Sequence, residues 1–147
     1  MSYKKFSVMM IISFIIMYCV MFLNITQVDY FYVSTTRIYM ALLMISPMAV
    51  VMMLMMGKMY PNKKLNTGII VSAIIVFIIT LAGLRTQTPI GDVQYMKAMI
   101  PHHSSAILTS ENANIKDPEV RKLADGIIEA QKREIAEMKA LIQKLRK

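Results

Sequence analysis

Residues 67–84 read TGIIVSAIIVFIITLAGL, eighteen positions without one charged side chain. At about 1.5 Å of rise per residue a helix of that length reaches roughly 27 Å, close to the ~30 Å hydrocarbon thickness of a bilayer. Two further runs, Phe6–Leu23 and Ile38–Met56, are equally long and equally free of charge. Three transmembrane helices are therefore expected, over about 6–23, 38–56 and 67–84. Lys4 and Lys5 precede the first run as they would in a secretory leader. Its apolar stretch exceeds the roughly 7 to 15 residues of such a leader, however, and Asn24 to Asp29 offers no small-x-small cleavage site. The run is expected to stay as an anchor.

The remainder of the chain has the opposite character. Of 147 residues, 56% are hydrophobic, yet residues 85–147 hold 11 of the 17 basic and 8 of the 9 acidic side chains. The net charge of +8 could suggest a nucleic-acid partner, but residues 89–147 carry 10 basic against 8 acidic groups, with no basic stripe interleaved with aromatics. Most of the excess sits at Lys4, Lys5, Arg37, Lys58, Lys63, Lys64 and Arg85, beside the hydrophobic runs, where basic residues set membrane orientation. Nucleic acid is excluded as the expected partner; membrane lipid replaces it. Lysines before the first run and between the second and third place the N-terminus and that loop in the cytoplasm, and three crossings put residue 85 onward outside. A multi-pass membrane protein with a cytoplasmic N-terminus and an extracytoplasmic C-terminal domain is expected. Cys19, the single cysteine, allows no intrachain disulfide, redox pair or thiolate cluster.

In the second run Met40, Met44, Met48, Met52 and Met56 recur every four residues, a spiral that drifts only about 40° per step. Thioethers suit copper(I) or silver, so one reading is a soft-metal path; the other is plain packing, which methionine does well in lipid. Pro47 is expected to kink this helix.

Beyond Pro89-Ile90-Gly91, Asp92 suits the N-cap of a helix to about Asn114, and Asp117-Pro118 the start of another to about Arg146. The short connection makes them antiparallel neighbours. The fold class is thus all-α: a membrane domain, 1–88, and a helical hairpin, 89–147. At about 100° per residue, Val120, Leu123, Ala124, Ile127, Ile142 and Leu145 form the apolar stripe of the second helix, with Gln131, Glu134 and Met138 in its middle. On the first helix Asp92, Met99, His103, Ala106 and Ser110 share a line, flanked by Tyr95, Met96, Ile107 and His102. A carboxylate on a packing stripe is costly unless paired or bound to a cation. Glu134 therefore has two readings, as hydrogen-bond partner of His103 or as a member of a metal site with Met99, His102, His103 and Met138. Methionine and histidine without cysteine favour copper; zinc on His and Glu comes second. Imidazole binds metal when neutral, so affinity is expected to fall below about pH 6.

The pattern Asp92-x-x-Tyr95-Met96-x-x-Met99-Ile100-Pro101-His102-His103-x-x-Ala106-Ile107, followed by Ala124-Asp125-x-Ile127-Ile128-x-x-Gln131-x-x-Glu134-Ile135-x-x-Met138, resembles the bacterial domain-of-unknown-function family numbered 305 over residues 92–142. The resemblance implies a ferritin-like helical domain and copper handling outside the cytoplasm, with Met99, His102, His103 and Met138 at the family's proposed ligand positions. Thr109 stands where that family often has another Met, and Leu141 where it commonly has Trp, so one soft donor is missing.

An enzyme is not expected. Di-iron ferritin-like oxidases use Glu-x-x-His, and the residues three before His102 and His103 are Met99 and Ile100. No Ser/His/Asp or Cys/His set is present. The expected function is membrane-anchored copper capture, buffering or resistance; the alternative is a structural or interaction protein whose hairpin dimerises without a metal. Because two helices bury little core alone, a homodimeric four-helix bundle is expected on either reading.

Overall fold

The computed structural model describes residues 2–145. It holds five α-helices: α1 (Tyr3–Val20), α2 (Thr35–Met56), α3 (Lys63–Thr86), α4 (Asp92–Asn112) and α5 (Pro118–Leu145). Single 3-10 turns at Val28–Tyr30 and Gly57–Met59 complete the elements, and no strand occurs among the described residues. α1, α2 and α3 are each long and apolar enough to cross a membrane. The expected helix end at Arg146 lies outside the described residues.

The three apolar helices begin earlier than their uncharged cores, because polar residues cap and extend them. Ser2 accepts from the backbone N–H of Lys4 at 3.3 Å, and Asn62 from that of Leu65 at 3.1 Å, each satisfying a donor that the first turn leaves free. α1 stops at Val20, short of Leu23, in a turn through Met21. α2 continues through Pro47, and α3 ends on Gln87, which takes the left-handed conformation at φ 54°.

The chain forms two compact units, residues 1–21 with 36–89 and residues 22–35 with 90–147. The core of the first is Phe6, Met53 and Tyr60, with Met9, Met52 and Ile70 packed around it. Met52 and Met56 thus belong to a packed cluster at one end of the methionine spiral, while Met40 and Met44 are exposed. Tyr3 donates to Asn66 Oδ1 at 2.8 Å, fixing the start of α1 to α3. At the other end Gly83 lets Tyr39 lie close: a Cβ there would stand 3.1 Å from the ring.

The second unit is built on α4 packed against α5. Its core is Met96, Ile100, Ile107, Ile135 and Ile142. Asp117 caps α5 as its sequence suggests, accepting from the N–H groups of Glu119 at 2.8 Å and Val120 at 3.1 Å. Asp92 does not cap α4; Gly91 holds that position without a side-chain hydrogen bond, and Asp92 opens the first turn, where its charge still suits the helix dipole. Residues 22–35 complete this unit. Tyr30 and Tyr32 pack on the core, Thr26 donates its N–H to Ser104 Oγ at 2.7 Å, Asn24 reaches Ser105 Oγ at 2.8 Å, and Asp29 pairs with Lys139.

That loop changes which face of α5 is inside. The buried residues are Ala124, Ile135 and Ile142, with Ile128, Gln131 and Met138 half-buried, whereas Val120, Leu123, Ile127 and Leu145 from the expected stripe are exposed. At about 100° per residue the buried line is turned some 60 to 70° from the exposed one. The loop accounts for this in physical terms: Tyr30 and Tyr32 add apolar surface to the cluster that contains Ile135 and Ile142, which favours turning that line of α5 inward.

Candidate metal centre

His103 Nε2 lies 2.7 Å from Glu134 Oε2. The two come from different helices, α4 and α5, and the spacing that put both on facing sides is enough to bring them together. Their environments differ: the His103 side chain is 11% exposed, that of Glu134 45%. Glu134 therefore keeps solvent on one side while holding a nearly buried ring. The other ring nitrogen, Nδ1, is buried and has no hydrogen-bond partner. A carboxylate accepts only, so Nε2 carries the proton in this contact, and in the neutral ring Nδ1 then presents a lone pair. A carboxylate that takes one imidazole N–H and leaves the other nitrogen free is the arrangement that orients metal-ligating histidines. Glu134 is in this geometry a positioning group for His103, and one of its oxygens is already engaged.

Met138 follows Glu134 by one turn on α5, is half-buried, and packs on the Met96–Ile100–Ile135 cluster. Met99 is half-buried one turn before His103 on α4. His102 is exposed, since the ~100° step between consecutive helical residues turns it off the buried face, and its ring centroid is 6.3 Å from that of His103 with the planes inclined by 65°. The structure thus joins His103 to Glu134 directly, places Met99 and Met138 on the adjoining turns, and leaves His102 on the rim. Gln131 is half-buried one turn before Glu134. Among the described residues no three His, Cys, Asp or Glu side chains converge on one point. A metal held here needs the thioethers, which fits a soft ion better than a hard one.

The residues that sequence reading missed are those of the loop. Ser104 is fully buried, and its hydroxyl meets both the N–H and, at 2.9 Å, the hydroxyl of Thr26. Lys139 lies over the Tyr30 ring, 5.2 Å from its centroid, and its ammonium is held above the ordinary lysine value of 10.5, first by the hydrogen bond to Asp29. None of these contacts has a periodic signature.

An all-helical chain with three membrane-length helices and a donor-bearing α4–α5 pair defines the class, and comparison with known proteins supplies the family. Residues 81–147 match the family described as "Domain of unknown function (DUF305)". The chain is also 41% identical over 106 residues to "Uncharacterized protein L153" of Acanthamoeba polyphaga mimivirus, covering 71% of this chain and 68% of that protein. This chain belongs to one family with that protein, and its C-terminal part carries the DUF305 domain. The aligned length exceeds residues 81–147, so the likeness extends toward the N-terminus beyond the domain. No solved structure matches.

Proposed function

We propose that this protein is a membrane-anchored module that captures or buffers a soft metal ion, copper before zinc, on the outer side of a cytoplasmic membrane. The observation that carries the reading is His103, whose Nε2 is held by Glu134 while Nδ1 is buried without a partner. Leaving a buried polar atom unpaired costs about 1 to 3 kcal/mol, and a cation is a partner that uses this lone pair. Met99 and Met138 would supply thioethers beside it and His102 a further imidazole from the rim, while Glu134 fixes the ring.

In this reading α4 and α5 are an antiparallel hairpin. Contacts between them run in opposite directions along the two helices: His103 meets Glu134, and Ser110 accepts from Arg121 at 3.0 Å. Three crossings support the placement. Residues 22–35 follow α1 and residues 90 onward follow α3, so the two crossings between them, α2 and α3, return the chain to the side it left, and the two segments form one compact unit. The lysines at 4, 5, 58, 63 and 64 favour the cytoplasm for the opposite side.

The test is a Cu(I) competition titration of the full-length protein in detergent, with Zn(II) titrated in parallel. Binding tighter than about 1 μM is expected, weakened at least tenfold by His103→Ala with helical circular dichroism unchanged. If neither Cu(I), Cu(II) nor Zn(II) binds that tightly, the reading fails and the metal-free interaction protein takes its place.

A further inference from the structure

The first compact unit, residues 1–21 with 36–89, contains no acidic residue: all nine Asp and Glu of the chain lie at position 29 or beyond position 91. Its seven basic side chains therefore have no carboxylate within the unit to pair with. Five of the seven, Lys4, Lys5, Lys58, Lys63 and Lys64, belong to one corner. Tyr3 accepts from the N–H of Asn62 at 3.1 Å and donates to Asn66 Oδ1 at 2.8 Å, while Asn66 Nδ2 donates to the Gly57 carbonyl at 3.2 Å. These contacts tie together the start of α1, the turn at Gly57–Met59 and the start of α3. The lysines flank them in the chain: Lys4 and Lys5 follow Tyr3, Lys58 follows Gly57, and Lys63 and Lys64 stand between Asn62 and Asn66. All five are exposed, and among the described residues none is ion-paired.

Like charges gathered without counter-ions repel one another unless something outside the chain supplies the opposite sign. Beside Lys4 and Lys5 a groove of about 490 Å³ runs along α1. Ser2, Lys4 and Lys5 line its polar end, and Val8, Met9 and Ile12 continue it down the helix. Val8 and Ile12 are half-exposed, so the apolar wall is open to a ligand.

We infer that this corner binds an anionic phospholipid, its phosphate against Lys4 and Lys5 and one acyl chain along Val8 and Ile12. The order of the side chains along the groove carries the assignment. A free phosphate or a nucleic acid uses the lysines and leaves the apolar wall bare, whereas an acyl chain alone has no use for the lysines. A zwitterionic lipid fits both halves but brings no net negative charge to a unit with seven basic and no acidic side chains. Lys58, Lys63 and Lys64 strengthen the field at the same corner, as basic residues beside a membrane helix do toward anionic lipid. The inference does not involve the metal; it rests on α1, α2 and α3 being membrane spans.

The experiment is electron paramagnetic resonance of spin-labelled lipids with the full-length protein, reconstituted in phosphatidylcholine vesicles. Spin-labelled phosphatidylglycerol is expected to be restricted by the protein at least about threefold more strongly than spin-labelled phosphatidylcholine, a preference that shrinks as sodium chloride is raised. Lys4→Gln with Lys5→Gln should remove most of it, and Lys63→Gln with Lys64→Gln part of it, with helical circular dichroism unchanged. Arg85→Gln, in the last turn of α3, should leave it near the wild-type value. Sodium phosphate in place of chloride at equal ionic strength should have no further effect. The inference is overturned if no preference is seen, if the Lys4 and Lys5 pair retains it, or if Arg85→Gln lowers it as much, which means general surface charge. It is also overturned if phosphate alone abolishes the preference, which means a free-anion site. Failure of the membrane reading looks different: neither lipid is then restricted, whereas failure of this inference alone leaves both restricted equally.

Discussion

Lys139, near the end of α5, is ion-paired with Asp29, 110 positions earlier in the chain. The contact joins the loop after α1 to a helix that begins beyond α3, and Tyr30 beneath the ammonium adds a cation–π contact. Because Asp29 raises the Lys139 pKa above 10.5, the docked loop binds that proton more tightly than a free one does. The stabilisation is fully present below the ordinary lysine value and is lost as pH rises through the raised one. A fluorophore on Val28→Cys, an exposed site, in a Cys19→Ser background should report a loop that stays docked from neutral pH to about 10 and loosens above it. With Lys139→Met the alkaline step should disappear, the loop being equally loose at both ends of the range.

Ser104 anchors the same loop from α4. It is fully buried and meets both the N–H and the hydroxyl of Thr26, so Ser104→Ala leaves two polar groups without their partner. A loss of about 1 to 3 kcal/mol is expected in the stability of this unit, read by thermal unfolding. Hydrogen exchange should rise across residues 24–32 and stay unchanged across α5. Equal loss of protection in α5 would mean that the loop is part of the core rather than a cover on it.

The three membrane-length helices were legible because length and absence of charge need no knowledge of partners. The cap at Asp117 and the approach of His103 to Glu134 were legible too, since both follow from local chemistry and helical period. The rotation of α5 was not. Of the expected stripe only Ala124 and Ile142 turn inward, joined by Ile135, while Val120, Leu123, Ile127 and Leu145 stay exposed. Which residues turn inward depends on Tyr30 and Tyr32, which lie in a segment with no period of its own and far away in sequence. The unpaired Nδ1 of His103 was equally hidden, because residue spacing places a ring on a face but does not say which nitrogen finds a partner.

The rotated face can be tested by stability. Ile135, 2% exposed among Ile100, Ile107 and Ile142, should cost about 2 to 5 kcal/mol on truncation to Ala, read by denaturant unfolding. Gly126 offers the converse test. An added Cβ there meets nothing within 4 Å, and the residue lies inside α5, so Gly126→Ala should stabilise the helix by about 0.5 to 1 kcal/mol. Were Ile135→Ala nearly neutral, the inward line would be the expected stripe.

Glu134 separates orientation from ligation. If its task is to hold His103 through Nε2, then Glu134→Gln, which keeps an oxygen acceptor at the same place, should weaken Cu(I) binding less than Glu134→Ala, which frees the ring. Loss of such a supporting group typically costs about 10- to 100-fold in metal affinity, so the Ala variant is expected in that range and the Gln variant nearer wild type. A direct carboxylate ligand would give the opposite pattern, with Gln as damaging as Ala because the charge is what binds. Met138→Leu, which conserves volume but removes the thioether, completes the set. Lowered Cu(I) affinity with Zn(II) affinity unchanged would locate the sulfur in the coordination sphere, since a thioether contributes to copper(I) and little to zinc. Equal losses for both ions would instead mean that Met138 acts only through the packing of α5 on Ile100 and Ile135.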